Sequence, residues 1–214
     1  MINAAVVTTT CLALGSLLTW GSGGRPARAL VAYLGLIVGI NMWQMATPSL
    51  TPTVFVVQEV LAMSGRYAVV IEVLRAAFAP LPGARRTATR VVLIGLLAAT
   101  AVLAWGVMLP SGLRGTFRAL ALANGGAGTL LLLLRVLTLH YYLPMHPLQR
   151  LTMTWFGAYL VVRSLLLGAA TEWSAELRVH AAALSSVVWC AWAVALAWTA
   201  WVSQRWRPPH GVPA

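Results

Sequence analysis

The chain has 214 residues, 60% of them hydrophobic and only 9% charged, with a net charge of +11 and neither Lys nor Asp. A soluble domain carries about 25% charged residues, so this composition excludes one and fits an all-α, polytopic membrane protein. The missing Lys excludes a retinal Schiff base and lysine-based covalent chemistry, and the missing Asp excludes a paired-aspartate intramembrane protease.

Apolar runs of bilayer-crossing length recur from end to end. The first predicted span runs from Asn3 to Trp20. It has no basic residues before it, and Ser16-Leu17-Leu18 offers no small-x-small cleavage site, so it reads as a retained helix rather than a signal peptide. Gly21-Ser22-Gly23-Gly24 and Pro26 close it. The second span is Ala29 to Met45, bounded by Pro48 and Pro52. The third, Pro52 to Phe78, is about 39 Å long if wholly helical and must tilt or overrun the hydrocarbon. A six-span alternative lays this segment on the surface. The fourth span is Val91 to Met108, the fifth Ala119 to Leu139, the sixth Leu151 to Ala169 and the seventh Ala181 to Ser203. Proline or glycine punctuates each break except Thr171–His180, which has room for a short interfacial helix. One transmembrane domain, 1–203, and a short tail, 204–214, account for the chain.

Seven spans put the termini on opposite sides. With the N-terminus outside, the inner loops hold Arg25, Arg28, Arg85, Arg86, Arg90, Arg150, Arg205 and Arg207, and the outer loops only Arg114, Arg118 and Arg178 with Glu172 and Glu176. The positive-inside rule then sets the N-terminus outside and the C-terminus in the cytoplasm. Trp20, Trp43, Trp105, Trp155, Trp173, Trp201 and Trp206 fall near span ends, where amphipathic rings settle. Trp189 and Trp192 lie within the seventh span and read as packing residues. The basic charge thus orients the protein in a lipid bilayer. It forms no Arg stripe on a soluble face, so no nucleic-acid partner is expected.

Four Arg and two Glu lie inside spans, where an ionised group needs a partner, a wet cavity or an escape to the interface. On the third helix, Glu59 and Arg66 share a stripe seven residues apart, and Glu72 and Arg75 lie on roughly the opposite face. A helix polar on two faces needs neighbours on both sides, which places it centrally. By depth, Glu72 is expected to pair with Arg75 or Arg135, and Glu59 with Arg163 or Arg66. These six residues are the candidate intramembrane polar site. They make either structural ion pairs or a cavity for a small anion or polar ligand, with Arg75 and Arg135 also able to snorkel to the inner surface.

The remaining motifs carry less. Cys11 and Cys190 lie a little over 10 Å from the outer helix ends by rise per residue, and read as small buried residues rather than a disulfide or metal pair. His140 and His180 fall at opposite surfaces, which disfavours haem bridging; His146 and His210 lie in a loop and in the tail. No cofactor or metal is expected. Gly35 and Gly39 form a Gly-x-x-x-Gly pair, and Ala121, Gly125, Gly126 and Gly128 line the fifth span. Such faces pack helices or dock another membrane protein. There is no zinc-protease signature, Gly-x-Ser-x-Gly elbow or P-loop, so an enzyme is not expected.

The stretch from Tyr67 to Arg86, YAVVIEVLRAAFAPLPGARR, resembles a family of uncharacterised bacterial seven-helix integral membrane proteins. In that family the third helix ends in a Tyr-x-x-x-Glu-x-x-Arg-like pattern, then Phe-x-Pro, then a basic turn. Glu72, Arg75, Phe78, Pro80, Pro82, Arg85 and Arg86 match it, while Tyr67 stands five residues before Glu72. The resemblance implies a multi-pass protein of the bacterial inner membrane and implies no activity. The reading is a sensor-like or accessory membrane module that binds a small ligand or partner. The alternative is a small transporter or channel with a path at Glu59, Arg66 and Arg163, which an inverted repeat would favour.

Overall fold

The computed structural model describes residues 2–20, 27–46, 52–79, 82–108, 113–143, 145–169 and 175–203. Residues 21–26, 47–51, 109–112, 170–174 and those beyond Ser203 lie outside the described residues, and with them Arg25, Glu172, Arg205 and Arg207.

The described residues form seven helices and no strand. They are α1 (Ile2–Trp20), α2 (Arg28–Ala46), α3 (Pro52–Ala77), α4 (Pro82–Met108), α5 (Leu113–His140), α6 (Pro147–Ala169) and α7 (Ala175–Val202). Four have the length and apolarity to cross a membrane: Arg28–Ala46, Phe117–His140, Pro147–Ala169 and Val179–Val202. The apolar part of α1, Ala4–Thr19, is shorter, and α3 and α4 carry several charges each. The helices outrun the apolar runs. α4 starts nine residues before Val91 and α5 six before Ala119, because their basic first turns remain helical. α7 begins at Ala175, so the second half of the Thr171–His180 connection continues that helix and is not a separate interfacial one.

The bundle closes in chain order. Each helix packs on the next, and α1 returns against α7. α3 packs on α2, α4 and α5, with Met63, Arg66, Val69, Val70, Val73 and Leu74 buried. Its buried face meets these three helices, while Val57, Leu61, Ser64, Ala68 and Arg75 form an exposed stripe along its other face, so it is not enclosed on both sides as its charge pattern suggested. α4 sits on α3 and α5 and turns Val91, Ile94 and Leu97 outward, one apolar ridge suited to hydrocarbon.

Backbone approach decides which glycines matter. A Cβ on Gly128 of α5 would stand 2.7 Å from the Gly157 carbonyl oxygen of α6, and one on Gly125 would stand 2.7 Å from Ser164 Oγ. This seam joins α5 to α6, and Ser164 Oγ donates across it to the Ala121 carbonyl at 2.6 Å. Gly35, Gly39 and Gly126 have nothing within 4 Å. They face outward, so the Gly35/Gly39 pair packs no described helix of this chain, and Gly125 is spent inside it. A second close approach is at Gly65, whose Cβ would meet the Tyr33 ring at 2.7 Å.

Within α6 the residues Thr152–Phe156 form a π-turn. Beyond it the rings of Phe156 and Tyr159 stack at 6.1 Å. Phe156 also stacks on Trp192 at 5.0 Å, and Trp192 meets Trp189 edge-on at 4.8 Å. Tyr33 of α2 joins them, 5.5 Å from Phe156. Edge-to-face and offset contacts of this kind add to simple area burial, so this aromatic cluster is the rigid centre of the bundle.

Candidate functional site

Above the aromatic centre lies a cluster of polar side chains. Arg163 Nη2 of α6 donates to Glu59 Oε1 of α3 at 2.7 Å. Arg66 Nη1 lies 3.4 Å from the other oxygen, Glu59 Oε2. One carboxylate therefore serves two guanidinium groups, and the triad ties α3 to α6. Both pairings expected for Glu59 are present together, although they were weighed as alternatives.

Arg66 is the deepest member, with its side chain only 3% exposed. A charge so enclosed persists only if its donors are satisfied. Nη1 also donates to Asn124 Oδ1 at 3.0 Å, and Nε donates to Tyr33 Oη at 3.2 Å. Asn124 is held in that orientation because its Nδ2 donates to the Leu120 carbonyl at 2.7 Å. Arg163 Nη1 donates to Tyr159 Oη at 3.3 Å, one helical turn back.

The triad forms part of the wall of a cavity of about 180 Å³. α2 contributes Tyr33, Ile37, Ile40, Asn41 and Gln44, and α3 contributes Gln58, Glu59, Ala62 and Arg66. Tyr159 and Arg163 of α6, Ser185, Ser186 and Trp189 of α7, and Val6 of α1 complete it. Gln44 Nε2 donates to Gln58 Oε1 at 2.9 Å near the end where α2 stops and α3 starts. Along α2, α6 and α7 the lining changes from amide, charge and hydroxyl to ring: Gln44 to Tyr33, Arg163 to Tyr159, Ser185 to Trp189. The cavity is polar towards one end of the bundle and backed by packed aromatics.

Glu72, Arg75 and Arg135 behave differently. Glu72 Oε2 accepts from the Ala29 N–H at 3.0 Å, and the neighbouring amides of Arg28 and Leu30 also point at its carboxylate. These are first-turn donors of α2 that have no partner within their own helix. Glu72 thus caps α2 from α3, and among the described residues it makes no ion pair with Arg75 or Arg135. Arg75 is exposed and Arg135 half-buried, and neither lines the cavity. The capping role was hidden because a cap read from sequence lies next to its helix, and this one comes from 43 residues further on.

Cys11 is exposed and Cys190 half-buried, and both are free thiols. Cys190 Sγ meets Thr9 Oγ1 at 3.4 Å rather than Cys11. Sequence reasoning missed Tyr33, Asn41, Gln44, Gln58, Asn124 and Tyr159. A signal for four of these was available: amides inside an apolar span are costly for the same reason as charges, in smaller measure.

No family model, curated protein or solved structure matches the chain.

Proposed function

We propose that this chain is a multi-pass protein of the bacterial inner membrane, with seven spans, the N-terminus outside and the C-terminus cytoplasmic, acting as a sensor-like or accessory module. In this reading a small polar ligand enters the bundle from the outer side and binds at Glu59, Arg66 and Arg163. The observation that carries it is the buried triad on the wall of a cavity of about 180 Å³. Structural ion pairs need no room beside them, and a cavity of about 150 Å³ already admits a benzene-sized guest. The orientation rests on the eight-to-three excess of Arg in the inner loops, and the bacterial inner membrane on the Tyr67–Arg86 resemblance. With the N-terminus outside, the junction of α2 with α3 is an outer end, and the amides Gln44 and Gln58 stand there.

A binding module fits better than a transport path. The rings of Tyr33, Phe156, Trp189 and Trp192 pack against one another below the cavity, which makes it a blind pocket.

The test is a thermal-shift screen of small polar solutes on the purified protein in detergent, run beside Ala62→Leu. Ala62 lines the cavity and is buried, one turn from both Glu59 and Arg66, so leucine fills space beside the triad while leaving its three charges in place. Stabilising solutes are expected to lose their effect in the filled variant. If every solute shifts both proteins equally, the cavity is not a binding site.

A further inference from the structure

The hydrogen bonds of the cavity leave a surplus of one sign. The triad holds two guanidinium groups and one carboxylate, a net charge of +1. The acceptors nearest the charges are engaged: both Glu59 oxygens by arginines, Asn124 Oδ1 by Arg66 and Gln58 Oε1 by Gln44. Two donors on the same walls are not. Among the described residues Arg163 Nε and Gln58 Nε2 have no hydrogen-bond partner, and both atoms are buried just behind the cavity surface, with Gln58 only 2% exposed. An unpaired buried donor costs the free energy of desolvation, and a charged one costs more. A guest with one negative charge answers the surplus charge, and its acceptors meet the two donors once the Arg163 and Gln58 side chains turn towards the cavity. A cationic guest worsens both deficits.

The rest of the lining limits the body of that guest. Ile37, Ile40, Ala62 and the Trp189 ring give it apolar wall, and the volume suits a single ring or short chain. Resting on the cavity reading above, we infer that the pocket takes a small monocarboxylate, its head on Arg163 and Gln58 and its apolar body towards Trp189. Arginine suits the head because its fork of donors matches a carboxylate.

Three isosteric probes test this on the full chain in detergent, by calorimetric titration at constant ionic strength: benzoate, benzamide and benzylammonium. Benzoate is expected to bind at least about tenfold more tightly than benzamide, the factor a charge-assisted hydrogen bond supplies, and benzylammonium not at all. Arg163→Gln should erase the benzoate preference. Because that variant can fail to fold, Gln58→Glu serves as the second. It keeps the acceptor for Gln44, replaces an amide nitrogen that has no partner among the described residues by oxygen, and cancels the surplus charge. Benzoate binding should then fall about tenfold or more at pH 7. Equal binding of benzoate and benzamide, or tighter binding of benzylammonium, overturns the carboxylate inference while the cavity reading stands. Binding by none of the three also overturns it, and the Ala62→Leu comparison decides the cavity reading independently.

Discussion

Glu59 serves two guanidinium groups in a place where water does little to screen them. Removing it leaves Arg66, almost fully enclosed, and Arg163 facing each other without their shared counter-charge. Breaking a buried ion pair from one side costs about 3–5 kcal/mol, so Glu59→Gln should lower stability by about 3 kcal/mol. Adding Arg163→Gln removes one of the uncompensated charges and should restore part of that loss. Melting of the two variants in detergent checks both, and strictly additive losses would refute the coupling.

His146 is the residue whose titration bears on stability near neutral pH. Its Nδ1 accepts from the Leu148 N–H at 3.3 Å and caps the start of α6. Burial holds its pKa below the ordinary histidine value of 6.5. The folded protein therefore keeps it neutral where the unfolded chain already binds a proton. The unfolded state binds more protons in that window, so stability falls as pH drops below about 6.5 and stops falling once the lower folded pKa is passed. Melting temperature measured from pH 7.5 to 5 should show this slope, and His146→Ser, which keeps a capping oxygen, should flatten it. Of the site itself, the charged residues were legible one by one, because each is conspicuous against an apolar span. Which oxygen met which nitrogen was not, because Glu59 and Arg163 lie 104 residues apart.

Helices are the level at which patterns and packing disagree most usefully. Gly-x-x-x-Gly is conspicuous in α2, yet the close contact is made by Gly125 and Gly128 of α5 against Ser164 and Gly157 of α6. Small residues permit close approach; only a partner at the right height uses it. Gly128→Ala should destabilise the bundle by about 1–3 kcal/mol, since the new methyl meets backbone at 2.7 Å that cannot turn aside. Gly35→Ala meets open space and should be neutral or slightly stabilising, as alanine favours helix by about 1 kcal/mol. Thermal melting of the pair separates them, and an equal effect would mean that the seam is not tight. The π-turn of α6 belongs to the same scale. It leaves Phe156 and Tyr159 stacked and Arg163 one turn above Tyr159, and no residue type in Thr152–Phe156 announces it.

The helices pack in chain order and α1 returns against α7, with the charges of α3 divided along its length. Glu59 and Arg66 gather at the cavity; Glu72 pins the first turn of α2. The proposed orientation makes a direct prediction. A green fluorescent protein fused to the C-terminus should fold and fluoresce in bacterial cells, and alkaline phosphatase fused after residue 113 should be active outside. The reverse pattern would invert the topology and put the cavity on the cytoplasmic side.

Composition and its long apolar runs determined that this is a helical protein with helices long and apolar enough to cross a membrane, because 60% apolar residues in such runs leave little polar surface for a soluble fold. That the charges of helix three need partners was also legible, but neighbours on both of its sides are not found, because Arg75 lies on an exposed stripe of that helix. Tertiary structure alone decided what those charges do. It gave Glu59 to two arginines, Glu72 to the end of another helix, and left Arg163 Nε and Gln58 Nε2 without acceptors beside a cavity. The physical reason is that hydrogen bonds depend on distances of a few tenths of an ångström between residues far apart in the chain, and periodicity along one helix carries no information about the height or rotation of the next.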